Sequence, residues 1–359
     1  MNQNHLSRLI IKGFKSIREC DLELSSLNVL IGPNGVGKSN LIGFFRMIQQ
    51  ILAQNLQVYV SKQGGPDALL HFGRKTTEKL SAELYFGNNG YKFTLEPTQD
   101  NRMMFASEAL WWNVTGDRVV GRGHFESTVE REYSRIKDYA LAAMKSWRVY
   151  HFHDTSDTAL VKGIQQIHDS EYLRPDARNL AAFLLRLSVQ YPESYERIVK
   201  LVRMIAPFFG DFRLKPTPGN QDTIELQWTE KGEDIPFKAH QLSDGTLRFI
   251  CLATLLLQPA LLQPETILID EPEMGLHPYA IQLVAALIRS ASKSRQLIIS
   301  TQSADFLSEF VPEDVIVTER SGGSSIFTRL DSDQLKLWLE KYTLGELWHK
   351  NVLGGRPGI

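Results

Sequence analysis

The chain is 359 residues long, 43% hydrophobic and 23% charged. That is the make-up of an ordinary folded protein, large enough to bury a core without disulfide or metal staples. Lys and Arg number 40 against 41 Asp and Glu, a net charge of -1. This excludes a generally basic nucleic-acid binder and an acidic disordered chain, so any DNA contact has to come from a local patch.

The length sets a prior of about two domains of ~150 residues each. In chain order, residues 9–14 read as a short apolar strand, and 20–24 alternate as a half-buried strand does. Residues 27–31 read as a buried strand that runs through a glycine-rich loop into a helical pattern from Asn40. Residues 80–95 predict a hairpin with an Asn-Gly turn at Asn88-Asn-Gly90, with more strand around Trp111 and Val119. An amphipathic helix is expected over 126–144, a strand over 148–152, and helix over 179–209 broken at Pro192 and Pro207. Two or three short strands fill 212–238. Then come a helix over 243–257, a strand over 266–270, a helix over 278–291, strands over 296–300 and 314–318, and an amphipathic helix with a Gly-rich tail. Alternating strands and helices predict a parallel sheet covered on both faces. Internal repeats and long heptad runs are not seen.

Cys20 and Cys251 sit in no metal-type spacing and read as reduced thiols. The apolar run 249–257 is too short for a bilayer, and residues 1–6 carry no apolar leader. The expectation is a cytoplasmic protein with no membrane partner.

The strongest motif is Gly32-Pro-Asn-Gly-Val-Gly-Lys-Ser39, which fills every fixed position of G-x-x-x-x-G-K-[ST] between a strand and a helix. Glycines let backbone N–H groups close around phosphate oxygens. Lys38 places a positive charge on the β- and γ-phosphates, and Ser39 offers an oxygen to Mg²⁺. Next is Ile267-Leu-Ile-Asp-Glu271, an apolar strand that delivers two adjacent carboxylates at its C-terminal end. Asp270 fits a Mg²⁺ holder and Glu271 the base that orients the attacking water; side by side they repel unless a cation or water activation offsets the cost. Third, Ser243 in Leu242-Ser-Asp-Gly-Thr-Leu-Arg248 is a good N-cap for the apolar helix that follows, and such a helix start attracts anions.

Together these segments resemble the ATP-binding cassette ATPases, and within them the SMC/RecF-like branch, whose stand-alone bacterial members are grouped as AAA-family ATPases. Gly13-Phe-Lys-Ser16 is similar to the opening of SMC and RecF heads. Leu242-Ser-Asp-Gly-Thr246 resembles their signature motif, with Asp244 where the commoner form has Gly. Glu271-Pro-Glu-Met-Gly-Leu-His-Pro278 resembles the Walker B and D-loop segment. Ser300-Thr-Gln-Ser303 falls where the switch histidine usually lies, with Gln302 in its place. Leu344-Gly-Glu-Leu-Trp348 and Gly354-Gly-Arg-Pro357 are similar to stand-alone members. The resemblance is firm over roughly residues 5–45 and 240–310.

The resemblance implies an α/β fold: an ABC-type P-loop ATPase head with a mixed sheet, an antiparallel β region and an inserted helical/β region. It implies an ATPase lobe split between 1–85 and 241–325, an insertion over 86–240, and a C-terminal helix and tail over 326–359. ATP and Mg²⁺ are the implied cofactors. Asn34, Gly35, Val36, Gly37, Lys38, Ser39 and Asn40 of one copy would hold ATP while Ser243 and Gly245 of another close over it, in a homodimer or higher oligomer. Gln302 can hydrogen-bond but carries no proton, so slow turnover, with ATP as a timer, is expected. The resemblance points to a nucleic-acid-linked machine for DNA repair or anti-phage defence with a separately encoded effector, DNA being kept open as a ligand. The alternative is an ATP-gated regulatory or assembly protein acting on a protein partner. The missing Leu-Ser-Gly-Gly-Gln and switch histidine argue against a transporter subunit.

Weaker groups read as structural. His151-Phe-His153-Asp154 has too few ligands for a metal site. Arg197, Lys200 and Arg203 read as a solvated helix face. Trp111-Trp112 and Phe208-Phe209 read as core or interface. Gln63 is a weak Q-loop candidate. Glu319, Asp331 and Asp333 raise a nuclease of the TOPRIM kind, which the short remaining chain argues against.

Overall fold

The computed structural model describes residues 5–354. Residues 1–4 of the leader reading, and Gly355, Arg356 and Pro357 of the C-terminal resemblance, lie outside the described residues. Strands β1 (Arg8–Phe14), β2 (Ile17–Glu23) and β3 (Leu27–Ile31) lead into helices α1 (Lys38–Leu52), α2 (Leu56–Lys62) and α3 (Pro66–Leu69). Strands β4 (Leu80–Phe86), β5 (Asn89–Pro97), β6 (Met103–Trp112) and β7 (Gly116–Gly121) precede α4 (Arg135–Ser146). Next come β8 (Arg148–Tyr150), β9 (Gln165–Gln166), α5 (Leu180–Gln190) and α6 (Pro192–Ile205). Five further strands follow: β10 (Phe209–Phe212), β11 (Pro216–Thr217), β12 (Asn220–Ile224), β13 (Gln227–Glu230) and β14 (Pro236–Lys238). The chain continues through α7 (Asp244–Leu257), β15 (Thr266–Asp270), α8 (Pro278–Ala291), β16 (Gln296–Thr301) and α9 (Ala304–Leu307). It closes with β17 (Val315–Ser321), β18 (Ser324–Arg329), α10 (Ser332–Leu339) and α11 (Leu344–His349).

Two compact units result: the chain up to Val149 together with that from Ile298 onward, and Tyr150–Leu297. The first unit holds a six-stranded antiparallel sheet in the order β2-β1-β4-β5-β6-β7. There too β17 pairs parallel to β3 and antiparallel to β18. β3 is buried at every position, as a central strand with both faces covered must be. The second unit carries two small antiparallel sheets, β10-β13-β14 and β11-β12-β9. Its helices pack in sequence, α6 on α5 and α7, and α7 on α8. α7 buries Leu247 and all of 249–257, so packing fixes it: each fully buried apolar side chain contributes ~1.5–3 kcal/mol, above any propensity term.

Three sequence expectations are corrected. The hairpin pairs Phe86 with Asn89, so its two-residue turn is Gly87-Asn88, with Gly87 at φ 58. Gly90 instead lies in β5, where a Cβ would sit 3.3 Å from the Trp111 ring. The helix expected from residue 126 starts only after Ser134, which caps it by accepting from the Lys137 N–H. Upstream, Glu126 accepts from the N–H groups of Leu56 and Gln57 at the start of α2, a role that a helical Glu126 could not fill. Pro192 breaks the helical stretch as read, ending α5 at Gln190 and opening α6, where its missing N–H is no loss. The chain after Asp331 forms two short helices, not one.

Both cysteines are free and buried, and burial pushes each thiol up to about 12, which leaves them unreactive. Among the described residues no helix is long and apolar enough to cross a membrane.

A buried carboxylate organises the six-stranded sheet. Glu108 on β6 is fully buried and accepts from Tyr91 Oη at 2.6 Å, from Ser127 Oγ, and from Thr128 N and Oγ1 at 2.8 and 3.0 Å, with His124 Nε2 at 3.0 Å. Glu108→Ala leaves those buried donors without an acceptor. It is expected to cost about 3 kcal/mol and to lower Tm by roughly 6–12 °C in thermal unfolding. An unchanged Tm would refute the role.

Candidate functional site: a glycine loop and a strained acidic turn

The segment between β3 and α1 has the geometry that its glycines permit. Gly35 and Gly37 take φ values of 79 and 114, which side chains rarely adopt. A Cβ on Gly37 would lie 2.0 Å from Ser325 Oγ, and one on Gly32 2.4 Å from the Thr318 carbonyl. Gly37 occupies the N-cap of α1 with no side chain capping it and no acid in the first turn. An uncapped helix start of this kind attracts anions, with the Asn40 N–H already returned to the Gly37 carbonyl at 3.0 Å. Lys38 is buried, and its ammonium donates to the carbonyls of Gly32 and Pro33, so it arches over the loop. Asn34, Gly35 and Ser39 are exposed, Val36 is buried and Asn40 is half-buried.

Beneath the loop runs a chain of polar groups with one consistent direction. Asn40 Nδ2 donates to Ser16 Oγ at 2.7 Å, Ser16 and Ser325 hydroxyls meet at 2.6 Å, and Ser325 Oγ donates to the Val36 carbonyl at 2.5 Å. The Ser325 N–H also donates to the Ser16 carbonyl. Motif reading found Ser16 but missed Ser325 and all of β18. The available signal was Gly322-Gly323, whose positive φ values form the two-residue turn joining β17 to β18.

In the second unit, β15 ends at Asp270 and the chain turns sharply. Glu271 takes φ 45, the left-handed region that costs a non-glycine residue of order 1 kcal/mol. Both carboxylates are half-buried. His153 Nε2 donates to the Asp270 carbonyl at 2.9 Å, and Asp154 caps the next turn by accepting from Ser156 N and Oγ. His153 and Asp154 thus each hold local backbone in place.

Ser243 and Gly245 stand at the start of α7 in that same unit. Ser243 Oγ accepts from Thr246 N at 3.2 Å, the capping role read from sequence. A Cβ on Gly245 would meet the Gly275 carbonyl at 2.7 Å, so glycine is needed for this approach. Arg248 ties the neighbourhood together: Nη1 donates to the Met274 carbonyl, and Nη2 to the His153 carbonyl and Thr155 Oγ1, all at 3.0–3.1 Å. Arg248 thereby links the signature helix to the turn after Glu271 and to the segment that holds Asp270.

Gln302 is exposed at the end of β16, in the unit that carries the glycine loop. The following Ser303 caps α9 by accepting from Phe306 N. Gly345 of α11 lies where a Cβ would be 2.2 Å from the Ala304 carbonyl, so the Leu344-Gly-Glu-Leu-Trp348 segment serves to pack tightly on α9 behind Gln302. Gln63 ends α2 and accepts from Lys15 Nζ at 2.8 Å. Arg197 and Lys200 are exposed on α6, and Arg203 donates to the Gly210 carbonyl. Trp111 packs edge-on against Tyr85, and Phe209 stacks on Trp228. Asp331 caps α10.

Comparisons with known proteins bear on the family and the fold. Residues 27–309 match the family model described as "AAA domain, putative AbiEii toxin, Type IV TA system". The chain is 23% identical to the Old nuclease of Escherichia phage P2 over 92% of its own length and 62% of that protein. It is 55% identical to the DNA replication and repair protein RecF of Vibrio campbellii over 38 residues, 10% of this chain and 11% of RecF. It thus spans under two thirds of these relatives. Among solved structures, an SMC head bound to the C-winged helix domain of ScpA matches at TM-score 0.62 and 18% identity, over 93% of this chain and 99% of that one. An SMC head bound to the C-terminal domain of ScpA, derived from Pyrococcus furiosus, matches at 0.59 and 16%, over 94% and 99%. The fold is that of an SMC head, a mixed α/β ATPase fold.

Ser325→Ala leaves the Val36 carbonyl without its buried donor. Losing about 1.4 kcal/mol of loop order corresponds to a tenfold weaker nucleotide affinity. The measurement is the Kd for ATP by titration calorimetry, and an unaltered Kd would show that the hydroxyl chain does not order the loop.

Proposed function

Because the chain belongs to this AAA-domain family, and to the SMC/RecF-like branch of ABC-type P-loop ATPases, we propose that it binds ATP with Mg²⁺ between two copies of itself. In this reading the pair closes on binding, reopens on slow hydrolysis, and so gates a nucleic-acid-linked process through a separate effector. The observation that carries it is the uncapped start of α1 behind two positive-φ glycines, with the buried Lys38 arched over the loop.

The loop N–H groups hold the β-phosphate, and Lys38 balances charge on the β- and γ-phosphates. The donor set fits a hard divalent cation: the exposed Ser39 hydroxyl and the Asp270 carboxylate are oxygen ligands of the type Mg²⁺ takes. When bound, that ion neutralises charge developing on the phosphate oxygens. Glu271, turned out of line by its left-handed backbone, orients a water and takes its proton as the water oxygen bonds to the γ-phosphorus. The bond to the bridging oxygen breaks and ADP leaves. Ser243 and Gly245 of the second copy contribute the hydroxyl and N–H groups that close over the γ-phosphate. Gln302 holds a hydrogen bond but moves no proton, so the closed state is long-lived. Similarity to a nuclease over 92% of the chain supports the nucleic-acid link over a purely protein-directed role.

A substitution series tests the chemistry. Lys38→Ala is expected to abolish tight ATP binding. Glu271→Gln should bind ATP, turn over at least a hundredfold more slowly and accumulate a closed dimer in light scattering. Gln302→His should turn over faster. Wild-type turnover in Glu271→Gln would remove the base assignment, and unchanged turnover in Gln302→His would remove the timer.

The nucleic-acid link is tested by ATPase rate with and without duplex DNA across a salt series. Stimulation that fades as salt rises is expected. A rate indifferent to DNA at low salt would favour a protein-directed role.

A further inference from the structure

Lys162 is a lysine whose burial the proposed chemistry has not used. It ends a short turn, Leu160–Lys162, and its side chain is 4% exposed. Burying an ammonium is costly unless opposite charge lies close. Its carboxylate neighbours are Asp244 Oδ1 at 3.8 Å and Asp157 Oδ1 at 3.9 Å, both outside hydrogen-bond reach. Its backbone N–H donates to the Ala159 carbonyl at 2.9 Å, and its ammonium makes no side-chain hydrogen bond among the described residues. Those two acids are themselves solvent-facing, 60% and 94% exposed. The lysine is thus enclosed while its partners are not, the reverse of an ordinary surface pair.

Asp244 is the first residue of α7, directly after Ser243. An acid there suits the helix, because it faces the positive end of the dipole. It also puts a negative charge beside Ser243 and Gly245, at the helix end that would receive a phosphate. A carboxylate and a phosphate competing for one helix end repel each other. An ammonium on a side chain only 4% exposed, 3.8 Å from that carboxylate, offsets its charge more strongly than a fully solvated one.

We infer that Lys162 is a positioning residue for the signature helix: its enclosed ammonium compensates Asp244, so that a helix start carrying an acid still accepts the triphosphate of a second copy. The inference rests on the two-copy ATP reading. It deepens that reading by naming what allows Asp244 to stand where the commoner signature has glycine.

The test uses the full chain carrying Glu271→Gln, with the ATP concentration for half-maximal dimer formation read by light scattering. Adding Lys162→Met is expected to raise that concentration at least tenfold. Adding Asp244→Asn to Lys162→Met should restore it to within about twofold of the parent. Asp244→Asn with Lys162 intact should lower it, which keeps the inference testable if Lys162→Met folds poorly. A merely structural Lys162 would lower Tm and leave the ATP requirement unrescued by Asp244→Asn, and that result overturns the inference. So does dimerisation of Lys162→Met at the parent's ATP concentration. A parent that stays single in millimolar Mg-ATP overturns the two-copy reading itself, and the inference with it.

Discussion

The glycine loop depends on what lies beneath it. Four polar groups, Asn40, Ser16, Ser325 and the Val36 carbonyl, form one directed chain in which each donor has its acceptor. Such a chain is worth more than its separate bonds, because each polarises the next in surroundings of low dielectric. It also explains why Gly37 admits no substitution. The space a Cβ would take is already filled by the Ser325 and Ser16 hydroxyls, so the backbone is held from below. Order in the loop comes from β18 and the β1–β2 turn, far from it in sequence.

The other unit places two non-glycine residues in the left-handed region, Ala177 and Glu271. Glu271 leaves a strand buried from Thr266 to Ile269 in a left-handed conformation, and the surroundings over-determine that choice. His153 fixes the Asp270 carbonyl on one side, and Arg248 fixes the Met274 carbonyl on the other. Because Arg248 belongs to α7, the signature helix and the acidic turn cannot shift independently. α7 is itself anchored by its apolar length, so the few polar contacts at its start work from a rigid base.

What was legible in the sequence followed how local each signal is. The phosphate loop is eight consecutive residues whose types are dictated by backbone geometry, so its position and its flanking strand and helix could be read directly. The strand ending in Asp270-Glu271 was legible for the same reason. Helix periodicity over 126–144 misled because Glu126 and Ser127 serve distant partners: one caps α2, the other feeds Glu108. Helical spacing carries no trace of such long-range bonds. The hairpin turn shifted to Gly87-Asn88 because Gly90 was needed where Trp111 packs. Ser325 was invisible as a functional residue, since nothing in Ser324–Arg329 says that it will lie under a loop almost three hundred positions earlier.

Two positions where the chain departs from the commoner pattern act in the same direction. Asp244 adds a negative charge at the start of the signature helix, and Gln302 stands where an ionisable ring would otherwise lie. Phosphoryl transfer is catalysed by positioning and by charge stabilisation, so in our reading both changes withhold help from the transition state. Binding need not suffer equally. In that reading the loop N–H groups and Lys38 engage the phosphates before any charge develops in the reaction, and Lys162, 3.8 Å from Asp244, offsets its charge. In the proposed reading, a site built this way keeps its grip on a triphosphate while slowing its cleavage, which suits a protein whose bound state, rather than its turnover, is the signal.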